Sequence, residues 1–246
     1  LASLYQRFET VELRRLDVLA ERGEALNAAY FPHSGMIAVL QTLEDGKSVG
    51  VGLVGREGFL GLSLISGALS FPAEAVVQND GTALRIPAKA FVMEYRTNEK
   101  LQLLVSLYAH ALLAQVMQTA ACNAHHSILQ RLSRWLLEAH DRLEEGEMHL
   151  SHEQISSMLG CRRSGVSDAL SALRTRGAVE LSQSRIRIMD HAPLEAAACW
   201  CYHTVKSEFS RVLPITGALR QPTFSLLKPL RRVSKISAPE ILRVGE

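Results

Sequence analysis

Residues 150–177 read LSHEQISSMLGCRRSGVSDALSALRTRG, and this stretch decides the fold. Ser151 and Gln154 have capping-box spacing, in which the hydroxyl caps the helix and the amide reaches back to the cap residue. The helix they open runs through Ile155, Met158 and Leu159 and stops at Gly160. A second helix follows Cys161. Its apolar positions Val166, Ala169, Leu170 and Leu173 fall at i, i+3, i+4 and i+7. Two short helices joined by a tight glycine-containing turn form a helix-turn-helix. After Arg176–Gly177 the period drops to two. Val179 and Leu181 lead into the polar turn 182–185, and Ile186 and Ile188 lead out, which describes a β-wing.

The second helix leaves a polar face of Arg162, Arg163, Ser164, Ser167, Asp168, Ser171 and Arg174. Small side chains let a helix approach a major groove, and arginine pairs with guanine O6 and N7. Arg174, Arg176, Arg185 and Arg187 are placed to neutralise phosphates beside that groove. The candidate contacts to double-stranded DNA are therefore Ser151, Arg162, Arg163, Ser164, Ser167, Asp168, Arg174 and Arg185. The alternative is a solvated helix face. Spacing, wing and arginines together favour DNA.

Upstream, Ile128, Leu132, Trp135, Leu136 and Ala139 recur with helical period, and Gly146 breaks the chain. Between Asn98 and Leu143 there is neither proline nor glycine, so one long helix is expected from Asn98 to about His126, roughly 40 Å in length. Leu101, Leu104, Tyr108, Ala111 and Gln115 make one stripe, and Val105, Leu112, Val116 and Thr119 an overlapping one. Apolar residues on more than one face predict packing on a β domain and on a second helix, most simply its own copy in a twofold homodimer. From Tyr30 to Ile86, short apolar runs alternate with turn signals, among them Asp45–Gly46. Regular short strands of this kind suggest an antiparallel barrel or jelly roll. Glycines 50, 52, 55, 58 and 61 indicate sharp corners or a close approach of backbone to a ligand.

The expected fold class is α+β: an N-terminal antiparallel β-roll of jelly-roll type (1–97), a long dimerisation helix (98–126), a winged helix-turn-helix (127–202), and a C-terminal helix with a basic tail (203–246). The tail from Ala218 holds six basic residues among prolines, which suits either non-specific attraction to DNA or plain disorder.

At 246 residues, 47% hydrophobic and 21% charged, the composition is globular. The net charge of +2 hides a gradient. Residues 1–97 carry 9 basic and 11 acidic side chains, and residues 191–246 carry 8 and 4. No run of about 18 apolar residues occurs, so no membrane span is expected. Residues 1–10 lack the pattern of a secretory signal. Four cysteines are too few for a disulfide scaffold, which points to a reduced, cytoplasmic protein.

The chain resembles the Crp–Fnr transcription regulators over about residues 5–202. The resemblance rests on Tyr30–Phe31–Pro32–His33–Ser34–Gly35, on Gly55–Arg56–Glu57–Gly58, and above all on residues 150–190. It implies a cyclic-nucleotide-type sensor roll, a dimer helix and a DNA reader, with RNA polymerase as a candidate further partner. Relatives that bind cyclic AMP carry Gly-Glu-Leu, whose glutamate holds the ribose, and an Arg-Ser or Arg-Thr pair for the phosphate. Here the first motif reads Gly58–Phe59–Leu60, the second falls near Phe71–Pro72, and no arginine lies between Glu57 and Arg85. A cyclic phosphate would be left uncompensated, so no tight cyclic-nucleotide binding is expected. The effector is unknown, with Gly58, Phe59, Leu60, Gly61, Phe71 and Pro72 as its candidate pocket. In the reader helix, Arg163 keeps the family's arginine. Ser164 replaces a glutamate and Asp168 a frequent arginine, so operator preference should differ from that of the best-known relatives.

No cofactor or metal is expected. The oxygen-sensing branch holds its iron–sulfur cluster through cysteines near the N-terminus, and none precedes Cys122. His33 and His110 lie where haem-binding relatives place a ligand, but each reads as an ordinary polar residue. His125–His126 has no spaced carboxylate or cysteine partner in the sequence. Cys199–Trp200–Cys201 reads as packed free cysteines, with a redox switch as the alternative. No catalytic grouping is present, so an enzyme is not expected. A ligand-sensing module that signals through protein contacts stands as the second reading, and a cupin-like enzyme as a distant third.

Overall fold

The computed structural model describes residues 7–68, 70–143, 147–183 and 185–213. The tail from Ala218 and Ser184 lie outside the described residues. The chain begins with seven strands: β1 (Glu9–Leu13), β2 (Val18–Ala20), β3 (Ala28–Pro32), β4 (Met36–Thr42), β5 (Ser48–Val54), β6 (Glu74–Asn79) and β7 (Gly81–Pro87). All pair antiparallel, in two sheets of order β2-β6-β4-β5 and β1-β7-β3. This is the expected roll. The Asp45–Gly46 cue sits in the β4–β5 hairpin, where Thr42 faces Ser48 and Gly46 takes the positive φ (79°) that glycine adopts without strain. The roll's interior is filled by Leu13, Ile37, Val54, Leu60, Phe71 and Val77.

Helices follow the roll. α1 (Ala88–Thr97) closes it, and α2 (Glu99–His125) is the long helix, capped by Asn98, whose side chain accepts from the Leu101 amide. α3 (Ile128–Arg142) begins at a full capping box of Ser127 and Gln130. β8 (Glu147–His149) leads into α4 (His152–Leu159), α5 (Arg163–Thr175), β9 (Val179–Ser182) and β10 (Arg185–Ile188), the last two forming the wing hairpin in a sheet of order β8-β10-β9. α6 (His191–Ala197) and α7 (Cys201–Val212) complete the described chain. The reader's core gathers Leu132, Leu136, Ile155, Val166, Leu170 and Leu173.

Three expectations about packing are refined. Two of the glycines expected to mark corners or a ligand are seats for helix side chains. A Cβ on Gly58 would stand 2.2 Å from the buried Tyr108 ring of α2, and one on Gly55 2.8 Å from Arg142 of α3. The second helix packed against α2 is the chain's own α7. Val205, Phe209 and Val212 share a core with Leu101, Val105 and Tyr108, and His110 Nε2 lies 2.7 Å from Glu208. α2 also has, by length and composition alone, enough apolar character to cross a bilayer, where the sequence reading expected no such segment. Its surplus apolar side chains fall on a third face. Leu103, Ser106, His110, Leu113, Met117, Ala120 and Ala124 are all exposed and alternate three and four residues apart. Leu103, Leu113 and Met117 are 46, 57 and 64% exposed. That spacing has the alternation of a coiled-coil seam.

A buried bridge ties roll to reader. Glu57, from the loop after β5, accepts from Arg142 Nε at 2.7 Å, with side chains 2 and 5% exposed. Burial works against the Arg142 charge, but Glu57 and Glu138 more than offset it and hold the guanidinium charged. The same guanidinium donates to the Glu138 carbonyl and lies over the Phe209 ring of α7.

Candidate nucleic-acid interface

The local chemistry explains how the reader helix is presented. Ser151 Oγ accepts from the Gln154 amide, and the Gln154 side chain accepts from the Ser151 amide, so both ends of the capping box form. Gly160 ends α4 in the left-handed region (φ 57°, ψ 44°), and Arg162 opens α5 with an extended backbone. Val166, Ala169, Leu170 and Leu173 turn inward against α3 and α4. A Cβ on Gly165 would meet Ile128 Cδ1 at 2.4 Å, so the absence of a side chain there lets α5 lie close on α3.

The opposite face is open. Arg162, Arg163, Ser164, Asp168, Ser171 and Arg174 are exposed along α5. Arg163, Ser151 and His152 line one open cleft with Gln183 and Arg185 of the wing. Ser167 is half-buried and engaged: its hydroxyl donates to the Arg163 carbonyl at 3.2 Å and lies 3.0 Å from His152 Nδ1. Ser151 likewise spends its hydroxyl on the cap. Arg185 and Arg187 both reach Glu147, at 3.2 and 2.8 Å, and these exposed bridges are weak enough to exchange for phosphate. His152 is the residue sequence reading missed. Its signal was its place directly after the cap, at the mouth of the same cleft.

The six residues of the candidate effector pocket do not share one environment. Phe59 is buried, stacked on Phe31 (5.0 Å between ring centres, 13° between planes) and tilted against Phe91 and Tyr108. Leu60 and Phe71 belong to the separate roll core, Gly61 packs beside Ala29 and Phe59, and Pro72 is exposed. His33 is exposed, and His110 is engaged with Glu208.

The cysteines require a correction. The sequence reading gave His126 no cysteine partner, yet Cys122 stands four residues upstream, one turn back along α2, and the fold brings Cys199 and Cys201 to that pair, with all four donor atoms within 4.8 Å of one another. The Cys122–His126 pair was within reach of helical spacing, but Cys199 lies 77 residues from Cys122 and Cys201 75 from His126, across the α2–α7 packing, where no local spacing rule could reach. Cys161 stands apart, half-buried in the helix-turn-helix turn.

Comparison with known proteins agrees with both halves. Residues 10–98 match the cyclic nucleotide-binding domain family and residues 130–197 the Crp-like helix-turn-helix domain family. The chain is 26% identical over 194 residues to the transcriptional regulator LdrP of Thermus thermophilus, covering 75% of this chain and 94% of that one. Its fold is similar to that of FixK2 from Bradyrhizobium japonicum, with TM-score 0.66 and 18% identity over 78% of this chain and 98% of that one. It is also similar to a CRP-family transcriptional regulator from Thermus thermophilus, TTHB099, with TM-score 0.63 and 20% identity over 76 and 96%.

Proposed function

We propose that this chain, which belongs to the Crp–Fnr family of transcription regulators, acts in the cytoplasm as a homodimer that binds a near-palindromic operator in duplex DNA. Its work is recognition rather than catalysis. One observation carries the reading: an exposed Arg163 on the first turn of α5, with exposed Arg162 before it and the small Ser164, Gly165 and Ser167 after it. That geometry suits a helix whose N-terminal end enters the major groove, where a bidentate arginine–guanine pair discriminates by about 1–3 kcal/mol. The dimer reading is supported by the exposed seam on α2. Two copies joined there would offer two α5 helices to successive grooves about 34 Å apart. The roll acts as the sensor half, with an effector other than cyclic AMP. At the ribose-glutamate position stands Phe59, committed to an aromatic cluster, and no arginine lies between Glu57 and Arg85 to meet a phosphate.

The test is fluorescence anisotropy on an operator chosen by the protein itself, across a salt series. Arg163→Ala should cost about 1–3 kcal/mol and relax one base position in each half-site. Arg174→Ala should weaken all sequences alike and lower the salt slope by about one. An unchanged base profile in the Arg163 variant refutes its role, and salt-independent binding favours a module that signals through protein contacts.

A further inference from the structure

We infer that Cys122, His126, Cys199 and Cys201 form a binding site for a single thiophilic divalent cation, zinc in the first instance, at the joint between the long helix and the reader. The donors are three sulfurs and one imidazole nitrogen, a set that zinc takes in tetrahedral sites. Zinc–sulfur bonds of about 2.3 Å and a zinc–nitrogen bond of about 2.0–2.1 Å, at tetrahedral angles, put sulfurs about 3.8 Å apart and sulfur about 3.5 Å from nitrogen. Cys122 Sγ lies 3.5 Å from Cys199 Sγ, and His126 Nδ1 lies 3.4 Å from Cys122 Sγ and 3.5 Å from Cys201 Sγ. Three of the six edges thus already have the size of one four-coordinate ion, and the overall span of 4.8 Å suits one ion rather than a multi-iron core.

The surroundings suit bound thiolates. The three cysteines are buried together and form a cluster of their own, apart from the apolar cores. Gln118 Nε2 donates to Cys201 Sγ at 3.0 Å, the outer-shell bond that orients and stabilises a ligating sulfur. Cys201 is the first residue of α7, where the helix's unpaired amides favour negative charge. The buried Arg134 guanidinium interacts electrostatically with all three sulfurs. Binding would release three thiol protons to solvent and leave a complex of net charge −1, which Arg134 faces. The ligands come from the last turn of α2, the α2–α3 turn and the α6–α7 junction. A bound ion would clamp α7 to α2 where the sensor hands over to the reader.

The experiment uses the full chain, purified with reductant and dialysed against zinc. Elemental mass spectrometry should find one zinc per chain. Titration with cobalt(II) should give thiolate-to-cobalt charge transfer and the intense d–d bands of a four-coordinate ion. Cys199→Ser, Cys201→Ser and His126→Ala should each lose the charge-transfer intensity or shift it, and Cys161→Ser should keep it. Gln118→Ala should weaken zinc about 10- to 100-fold. Should the ligand variants fail to fold, the wild-type cobalt spectrum and the Cys161→Ser control decide alone. Zinc well below one per chain with no charge transfer overturns the site, as does recovery of Cys122 and Cys199 as a disulfide from zinc-loaded, reduced protein. These readouts need no DNA, so their failure is separable from failure of the operator reading.

Discussion

Replacing Glu57 by glutamine probes the joint between sensor and reader. The substitution keeps the side-chain shape and an oxygen for the Gly55 amide, which Glu57 Oε1 accepts at 3.2 Å. It removes the charge opposite Arg142, whose side chain is 5% exposed. Breaking a buried pair from one side costs about 3–5 kcal/mol, because the remaining charge stays buried without its partner. Glu138 also favours the Arg142 charge, so the lower end, about 3 kcal/mol, is expected. At about 2–4 °C per kcal/mol for a chain of this size, Tm should fall by about 6–12 °C. Glu57→Leu with Arg142→Leu removes both charges and should recover much of the loss. Urea unfolding of the wild type, Glu57→Leu, Arg142→Leu and the double variant, followed by circular dichroism and by the fluorescence of buried Trp135, makes the cycle, with Glu57→Gln measured beside it. A single-variant cost below about 1 kcal/mol, or a coupling energy below about 0.5 kcal/mol, would refute the bridge as an energetic link.

Three further outcomes are expected. Leu113→Glu with Met117→Glu puts carboxylates on the exposed seam of α2 and should weaken the dimer at least about 100-fold, since each buried charge costs several kcal/mol; light scattering showing an intact dimer with unchanged helicity would move the interface elsewhere. Burial and the neighbouring His191, 3.0 Å away, lower the pKa of His140. The unfolded chain therefore takes up a proton near pH 6.5 that the folded chain resists, and stability should fall as pH drops below that point, less steeply in His140→Gln; parallel stability curves would remove His140 from the account. Calorimetry with cyclic AMP and cyclic GMP should show no affinity tighter than about 10 µM, on the order of −7 kcal/mol, and tighter binding would reverse the reading of Phe59.

The reader domain was legible because its signals are local. Ser151, Gln154 and Gly160 act within a few residues of themselves, and the apolar period of α5 lies within two turns. The roll was legible from its alternating runs and the Asp45–Gly46 turn. Around α2 legibility failed in a specific way. Leu101, Tyr108 and Leu103, Met117 are all apolar, and hydropathy alone does not say which set the roll and α7 cover and which remains free. The Glu57–Arg142 bridge spans 85 residues and the Cys122–Cys199 approach 77. Both depend on how whole elements pack, which periodicity does not carry. Gly58 and Gly55 announced a close approach, which the fold fills with Tyr108 and Arg142.

The central claim is that two α5 helices read duplex DNA from one symmetric assembly. Selection of bound sequences from random double-stranded DNA tests it most directly. The account expects enrichment of an inverted repeat with half-site centres about one helical turn apart, with one guanine in each half losing its preference in the Arg163→Ala protein. No enrichment, or an unpaired or direct-repeat motif indifferent to Arg163, would contradict it.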